Sequence, residues 1–312
     1  MRFSAVIPAF NAEKFIARSI ESVLKQSLKP FEIIVVDDGS RDRTFEIVSE
    51  FKDAVTCIRQ PNMGPSKARN RGVEEASGDF VAFLDADDEW LADHLQKAAA
   101  VLSAHDFLHW YCCAFERRDE HGQKLFTRKF KGVVLDDTYI EDFFQAEADS
   151  NLSNTITMVI RRDLLLELGG FDETLRFSED RTLWFRIALV HPRLGYSRQT
   201  GAVYWSHRAS ITQQEANKTA KKGLATIRRW RDLAVNAGPE GLRMSEPLLL
   251  KDVRTVALRS IKEKDLEVLQ ALRSSYGDRL NILYRFLLVL GPYIPKSVIG
   301  IALRLKSTLK PY

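Results

Sequence analysis

An α/β fold is predicted, with a parallel, doubly wound sheet carrying helices on both faces and a helical C-terminal extension. Three observations lead there. Apolar runs of strand length alternate with amphipathic stretches of helical length through the first 84 residues; runs such as Glu32 to Val36 lack the in-and-out alternation of a half-exposed strand; and acidic residues collect where these runs end.

The elements follow in order. Phe3 to Pro8 reads as a strand, and Asn11 to Leu24 as a helix capped by Asn11, because Phe15, Ile16, Ser19, Ile20, Val23 and Leu24 recur at helical spacing. Glu32 to Val36 is the second strand, Thr44 to Phe51 the next helix, and Val55 to Ile58 a third short strand. After the loop Pro61 to Ser66 come a helix from Lys67 to Ala76 and a strand from Phe80 to Leu84. The helix expected next runs from Trp90 to Leu102. Leu108 to Val134 is strand-rich, Ser153 to Ile160 a further strand, Arg162 to Leu168 a short helix stopped by Gly169-Gly170, and Glu179 to Val190 another helix. Past Glu215, Ala220, Leu224, Ile227 and Trp230 recur at turn spacing.

The 312 residues, 45% hydrophobic and 28% charged, exclude a disordered chain or a fibre and allow two domains, drawn here at 1–215 and 216–312. The net charge of +4 conceals an asymmetry: residues 216–312 hold 19 Lys and Arg against 8 Asp and Glu, whereas 1–215 hold 27 against 34. An acidic front suits a metal ion and a basic tail an anionic surface. Cys57, Cys112 and Cys113 show neither metal-ligand spacing nor a disulfide framework, and the N-terminus has no signal-peptide pattern, so a reducing cytoplasmic setting is expected. No apolar run reaches membrane-span length.

Open parallel sheets bind ligands beyond the carboxyl ends of their strands. Three segments meet there: Pro8-Ala9-Phe10, Asp37-Asp38, and Asp85-Ala86-Asp87-Asp88. Asp85 and Asp87, two apart at a strand end, can reach one hard divalent cation, Mg²⁺ or Mn²⁺. Asp88 and Glu89 serve equally well as acids at a helix start. Asp38 suits a pyrimidine N–H or a ribose hydroxyl, and a strand-to-helix turn as well; Phe10, an aromatic at the same edge, suits stacking on a base.

The segments Ser4 to Asn11, Ile33 to Ser40, Asn62 to Gly72, Gly78 to Asp88, and Gly169 to Leu175 with Ser178 to Trp184 resemble the successive motifs of the family 2 glycosyltransferases. The resemblance covers about residues 1 to 215. It implies a GT-A fold, a nucleotide-sugar donor, a divalent metal and inversion at the anomeric carbon. It places Phe10 and Asp38 at the donor's base, with Pro8 and Ala9 in the pocket wall. It places Asp85 and Asp87 on the DxD motif, extended by Asp88, and Asp180 as general base, although Glu179-Asp180 also reads as a pair of helix-start acids. Lys67 and Arg69 are available to the leaving diphosphate, and His207 or Arg208 to the metal or pyrophosphate. Thr226 to Trp230 keeps the Arg-Trp of the processive members' signature without its Gln, so one sugar per encounter is expected.

The expected donor is a UDP-sugar, and the expected acceptor a glycan or lipid-linked hydroxyl. Lys296, Gly300 and Arg304, at fourfold spacing among apolar residues, suit either a membrane-surface helix on the cytoplasmic face or a helical cap on the catalytic domain; no nucleic-acid motif accompanies the charge. Two rivals belong to other classes. A nucleotidyltransferase would need a Gly-rich triphosphate loop where Pro8 to Asn11 stand, and a non-catalytic nucleotide-sugar-binding protein would not need Asp180.

Overall fold

The fold was obtained as a computed structural model, which describes residues 1–207, 219–290 and 293. The chain forms two compact units, Met1–Ser210 and Ile211–Tyr312.

In the first unit, β1 (Phe3–Ala9) pairs in parallel with β2 (Glu32–Asp37) and with β4 (Phe80–Phe83), and β2 pairs in parallel with β3 (Thr56–Arg59). Their near-continuous apolar sequences fit strands covered on both faces. One face packs on α1 (Ile16–Leu24), whose Ile16, Ile20 and Val23 are fully buried with Ala5, Ile7 and Val35. Each of these Ile and Val side chains contributes roughly 1.5–3 kcal/mol by burial. The other face meets α3 (Pro65–Glu75), with α2 (Thr44–Ser49) preceding β3. Gly72 lets α3 come close, since a Cβ there would overlap the Val6 side chain.

The sheet is mixed rather than wholly parallel. Its order continues from β4 through β9 (Val159–Arg161), β6 (Trp110–Asp119) and β10 (Leu194–Ser206) to β5 (Glu89–Trp90). β9 runs antiparallel to both β4 and β6, and β6 lies parallel to β10. The hairpin strand β7 (Lys124–Arg128) extends β6, and β8 (Tyr139–Ile140) pairs with β10. Helices α4 (His94–Ala104), α5 (Phe143–Ser150), α6 (Arg162–Glu167) and α7 (Glu179–Val190) complete the unit.

Three local expectations are corrected. The helix expected from Trp90 begins at His94, because Glu89–Trp90 is a strand on β10: the Trp90 N–H binds Ser22 Oγ at 3.1 Å and its indole N–H binds the Ile156 carbonyl at 2.8 Å. Asn11 caps no helix. It takes a left-handed φ of 50°, its Oδ1 accepts from the Arg41 N–H, and α1 starts at Ile16. The strand expected over Ser153 to Ile160 is a 3₁₀ turn at Thr155–Thr157 followed by β9.

The second unit is helical among its described residues: α8 (Ala220–Asn236), α9 (Gly238–Glu263), α10 (Leu266–Tyr276) and α11 (Ile282–Leu290). Thr219 caps α8 by accepting from the Lys222 N–H, and Leu224, Ile227 and Trp230 turn inward as their spacing predicts. Trp230 is therefore a core residue. Arg208 and the tail motif Lys296 to Arg304 lie outside the described residues. No described helix is long and apolar enough to cross a membrane.

Candidate active site

The site lies at the carboxyl ends of the parallel strands. Asp38 follows β2 and Asp85 follows β4, with β1 between them, so two strand spacings separate the two chain segments by about 10 Å. Phe10, just past β1, is 47% exposed at the rim, whereas Ala9 is buried behind it and Pro8 partly so.

Asp38 organises its surroundings. Oδ1 accepts from Gln60 Nε2 at 2.8 Å and from the Met63 N–H at 2.9 Å, and Oδ2 accepts from the Gly64 N–H at 2.8 Å. A carboxylate offers about four acceptor positions. Three are spent holding the loop before α3, which leaves one for a ligand.

The acidic turn after β4 is secured from α1. Arg18 donates to the Asp87 carbonyl at 2.8 Å, and Ser19 Oγ lies 2.8 and 2.7 Å from the carbonyls of Ala86 and Asp88. Asp85 Oδ1 receives Arg69 at 2.8 Å. Asp87 Oδ2 is 2.8 Å from His207 Nε2, and the His207 ring stacks on Phe15 with centroids 4.6 Å apart. Asp88 is buried; its Oδ1 accepts from the Trp205 N–H at 2.7 Å, while Oδ2 has no hydrogen-bond partner among the described residues. Burial, with Asp85 beside it, raises the pKa of Asp87. Burial, with Asp87 and Asp85 beside it, raises that of Asp88 well above the usual carboxylate range.

Asp180 comes to the site on the first turn of α7. Its Oδ1 accepts from the Arg181 N–H at 2.6 Å and its Oδ2 from Thr155 Oγ1 at 3.3 Å. Neighbouring Glu179 is joined to Arg69 at 3.4 Å, and burial together with the Asp180 charge raises its pKa. Arg69 thereby bridges the end of β4 and the start of α7. Burial works against its charge, yet Asp85 and Glu179 outweigh that cost and raise its pKa. Lys67 is paired with Glu173 at 3.2 Å.

The fold thus gathers Asp38, Asp85, Asp87, Asp88, Asp180 and His207 around one end of the sheet, with Arg69 among them. Trp184, by contrast, is buried edge-to-face against Phe171, as a core tryptophan. Sequence reasoning gave Glu179 only a helix-start role and assigned Phe15 to helix packing. The acidic pair at the start of α7 was a usable signal for Glu179; nothing local marks Phe15 as the partner of a histidine 192 positions later.

Among the described residues, no three His, Cys, Asp or Glu side chains form a metal-holding set. Asp85 is occupied by Arg69 and Asp87 by His207. The chemistry nonetheless fits a hard divalent ion: the available donors are carboxylate oxygens with one imidazole, and the unpartnered Asp88 Oδ2 sits among acids whose crowding a cation would relieve.

A mixed sheet whose acids meet at the ends of its parallel strands is the architecture of the GT-A glycosyltransferases. The structure of Staphylococcus aureus TarS residues 1–349 in complex with UDP-GlcNAc superposes with a TM-score of 0.74 at 22% identity, covering 94% of this chain and 88% of that one. The mannosyltransferase PcManGT from Pyrobaculum calidifontis, in complex with GDP-Man and Mn²⁺, gives 0.57 at 18% identity, covering 94% and 84%. The family model described as Glycosyl transferase family 2 matches residues 4–167, and the chain belongs to that family; it is a glycosyltransferase. Among curated relatives, the uncharacterized glycosyltransferase RP339 of Rickettsia prowazekii is 26% identical over 235 residues, which is 74% of this chain and 69% of that protein. The poly(ribitol-phosphate) beta-N-acetylglucosaminyltransferase TarS of S. aureus is 37% identical over 203 residues, 62% of this chain. The minor teichoic acid biosynthesis protein GgaA of Bacillus subtilis is 32% identical over 208 residues, also 62%. The matched region spans 34% of TarS and 44% of GgaA.

Proposed function

We propose that the crevice transfers a sugar, with inversion and one residue per encounter, from a UDP-sugar to a hydroxyl of a glycan or lipid-linked acceptor. The observation that carries this reading is the bridge from Asp85 through Arg69 to Glu179, which brings the donor-side acids and the α7 acids to one place in a chain of this family.

Phe10 and the remaining acceptor position of Asp38 take the base, against the wall formed by Pro8 and Ala9. Asp85 and Asp87, with Asp88 and His207, would hold Mg²⁺ or Mn²⁺, which when bound supplies positive charge to the departing diphosphate. Lys67, in the first turn of α3 and paired with Glu173, would add positive charge for the leaving diphosphate. Asp180 accepts the proton of the acceptor hydroxyl as that oxygen attacks the anomeric carbon from the face opposite the diphosphate. The Thr155 hydroxyl and the Arg181 N–H orient its two oxygens for this role.

UDP in the S. aureus structure supports the uridine assignment, and the Mn²⁺ of the Pyrobaculum enzyme supports the metal. The names of TarS and GgaA support a cell-surface polymer as acceptor. The basic C-terminal region supports a position at the cytoplasmic face of a membrane. Incubation with a panel of nucleotide sugars and Mn²⁺ tests it: release of UDP is expected, and release of pyrophosphate would instead favour nucleotidyl transfer.

A further inference from the structure

We infer that Arg69 is a positioning residue that stands in for a cation beside Asp85 and locks the start of α7 to the end of β4; this rests on the glycosyltransferase reading above. The side chain is 8% exposed, and its guanidinium reaches two carboxylates from two elements, Asp85 Oδ1 at 2.8 Å and Glu179 Oε1 at 3.4 Å. Its carbon lies 5.3 Å from the centroid of the Phe171 ring, which backs it. A planar fork suits this task, since each arm can serve a different acid while the flat face packs on an aromatic ring.

The helix that carries Arg69 is fastened at both sides. The Met63 and Gly64 N–H groups before it bind Asp38, and Asn70 clamps the loop that leads to α7, accepting from the Phe171 N–H at 2.8 Å and donating to the Phe171 carbonyl at 2.8 Å and to Glu173 at 2.9 Å. A side chain at Gly170 would strike Asn70, so the loop is seated directly on the helix. Arg69 therefore projects from a held backbone into a pocket of acids. Asp85, Glu179 and Asp180 all act on it, and without it these partly buried charges would face one another uncompensated.

Two consequences follow from a cation that is already present. It holds Asp85 and α7 in register before any ligand binds, which favours transfer. It also competes with an incoming divalent ion for the charge of Asp85. Removing it should tighten metal binding while slowing the chemistry, a combination that neither a scaffold residue nor a phosphate ligand would produce.

The test is Mn²⁺ titration of the donor-free, full-length protein by calorimetry, together with steady-state transfer from the donor selected by the panel. For Arg69→Met the expected results are Mn²⁺ affinity raised by ~3–10-fold, kcat reduced by ~100-fold and donor KM changed by less than ~3-fold. Arg69→Lys keeps the charge without the fork, so its Mn²⁺ affinity should stay near that of the unmodified protein, with kcat about tenfold above the Met variant. Unchanged Mn²⁺ affinity with a raised donor KM would make Arg69 a phosphate ligand and overturn the inference, as would weakened Mn²⁺ binding, which marks a scaffold. If Arg69→Met does not fold, Arg69→Met/Glu179→Gln removes the stranded acid. It should bind Mn²⁺ more tightly than Glu179→Gln alone, and equal affinity would overturn the inference. An unmodified protein that binds no Mn²⁺ would overturn the metal reading and this inference together.

Discussion

The two ends of the parallel strands hold carboxylates in opposite conditions. At the amino ends, Glu32 accepts from Ser4 Oγ at 2.6 Å and from the Ser77 N–H at 2.7 Å, and Asp79 accepts from the Arg2 N–H at 2.7 Å. Burial opposes the Glu32 charge, but the Ser4 and Ser77 bonds prevail and lower its pKa; the bond from the Arg2 N–H lowers that of Asp79. At the carboxyl ends, Asp88 is buried and Asp87 and Glu179 partly so, each beside another acid, and the pKa values of all three are raised. The amino-end acids are satisfied by hydrogen bonds, as Asp38 is, whereas these three keep raised proton affinities although Asp87 meets His207 and Glu179 meets Arg69. Incompletely relieved acids mark the place that awaits a ligand, because a structural role alone would be better served by the hydrogen-bonded arrangement.

The largest expected effect separates chemistry from binding at the crowded end. Asp180→Asn keeps the size of the side chain and an acceptor for Thr155, but cannot take a proton at neutral pH; transfer should fall by ~10²–10⁴-fold while calorimetric donor affinity stays within a few-fold. An undiminished rate would remove Asp180 as the base. Phe10→Ala, which removes an exposed ring at the rim, should weaken UDP binding by roughly 1–3 kcal/mol if the ring stacks on uracil. Equal UDP affinity would leave the ring without that role.

The stability contrast between the two ends is smaller and depends on pH with opposite signs. The Asp88 proton affinity is raised by folding, so its contribution to stability is fully present below the unfolded value of about 3.9 and is lost as pH rises through the folded value. Asp88→Asn can still accept from the Trp205 N–H and should stabilise the metal-free protein at pH 7 by about 1–3 kcal/mol, an advantage that shrinks as the pH is lowered toward 4. Glu32 behaves in the reverse sense. Its pKa is lowered, so its contribution is present above the ordinary value of 4.5 and is lost as pH falls through the folded value. Glu32→Gln should cost about 0.5–1 kcal/mol at pH 7 and progressively less in acid, as read by urea unfolding. Parallel pH trends for the two variants would erase the distinction between the ends.

Most of this arrangement was legible in the sequence. Apolar runs without alternation gave the parallel strands, and acids at their ends gave the crevice, because both depend on residues adjacent in the chain. What escaped was set by contacts across long separations. The antiparallel β9 cannot be read from Val159–Arg161, since its direction is decided by pairing with β4 and β6. Trp90 looked helical until Ser22, Ile156 and β10 drew it into a strand. Arg69 was legible as a cation near a phosphate site, but its two acids lie 16 and 110 positions away, and only the fold shows that it is already paired.

The central claim is that the acids at the carboxyl ends of these strands hold a donor diphosphate through a divalent cation. Calorimetry of UDP binding to the unmodified protein and to Asp87→Ala, each with Mn²⁺ and with chelator, tests it most directly. The account predicts UDP affinity at least ~10-fold higher with Mn²⁺ in the unmodified protein and no Mn²⁺ dependence in the variant. Equal UDP affinity in chelator and in Mn²⁺, unaltered by Asp87→Ala, would contradict it.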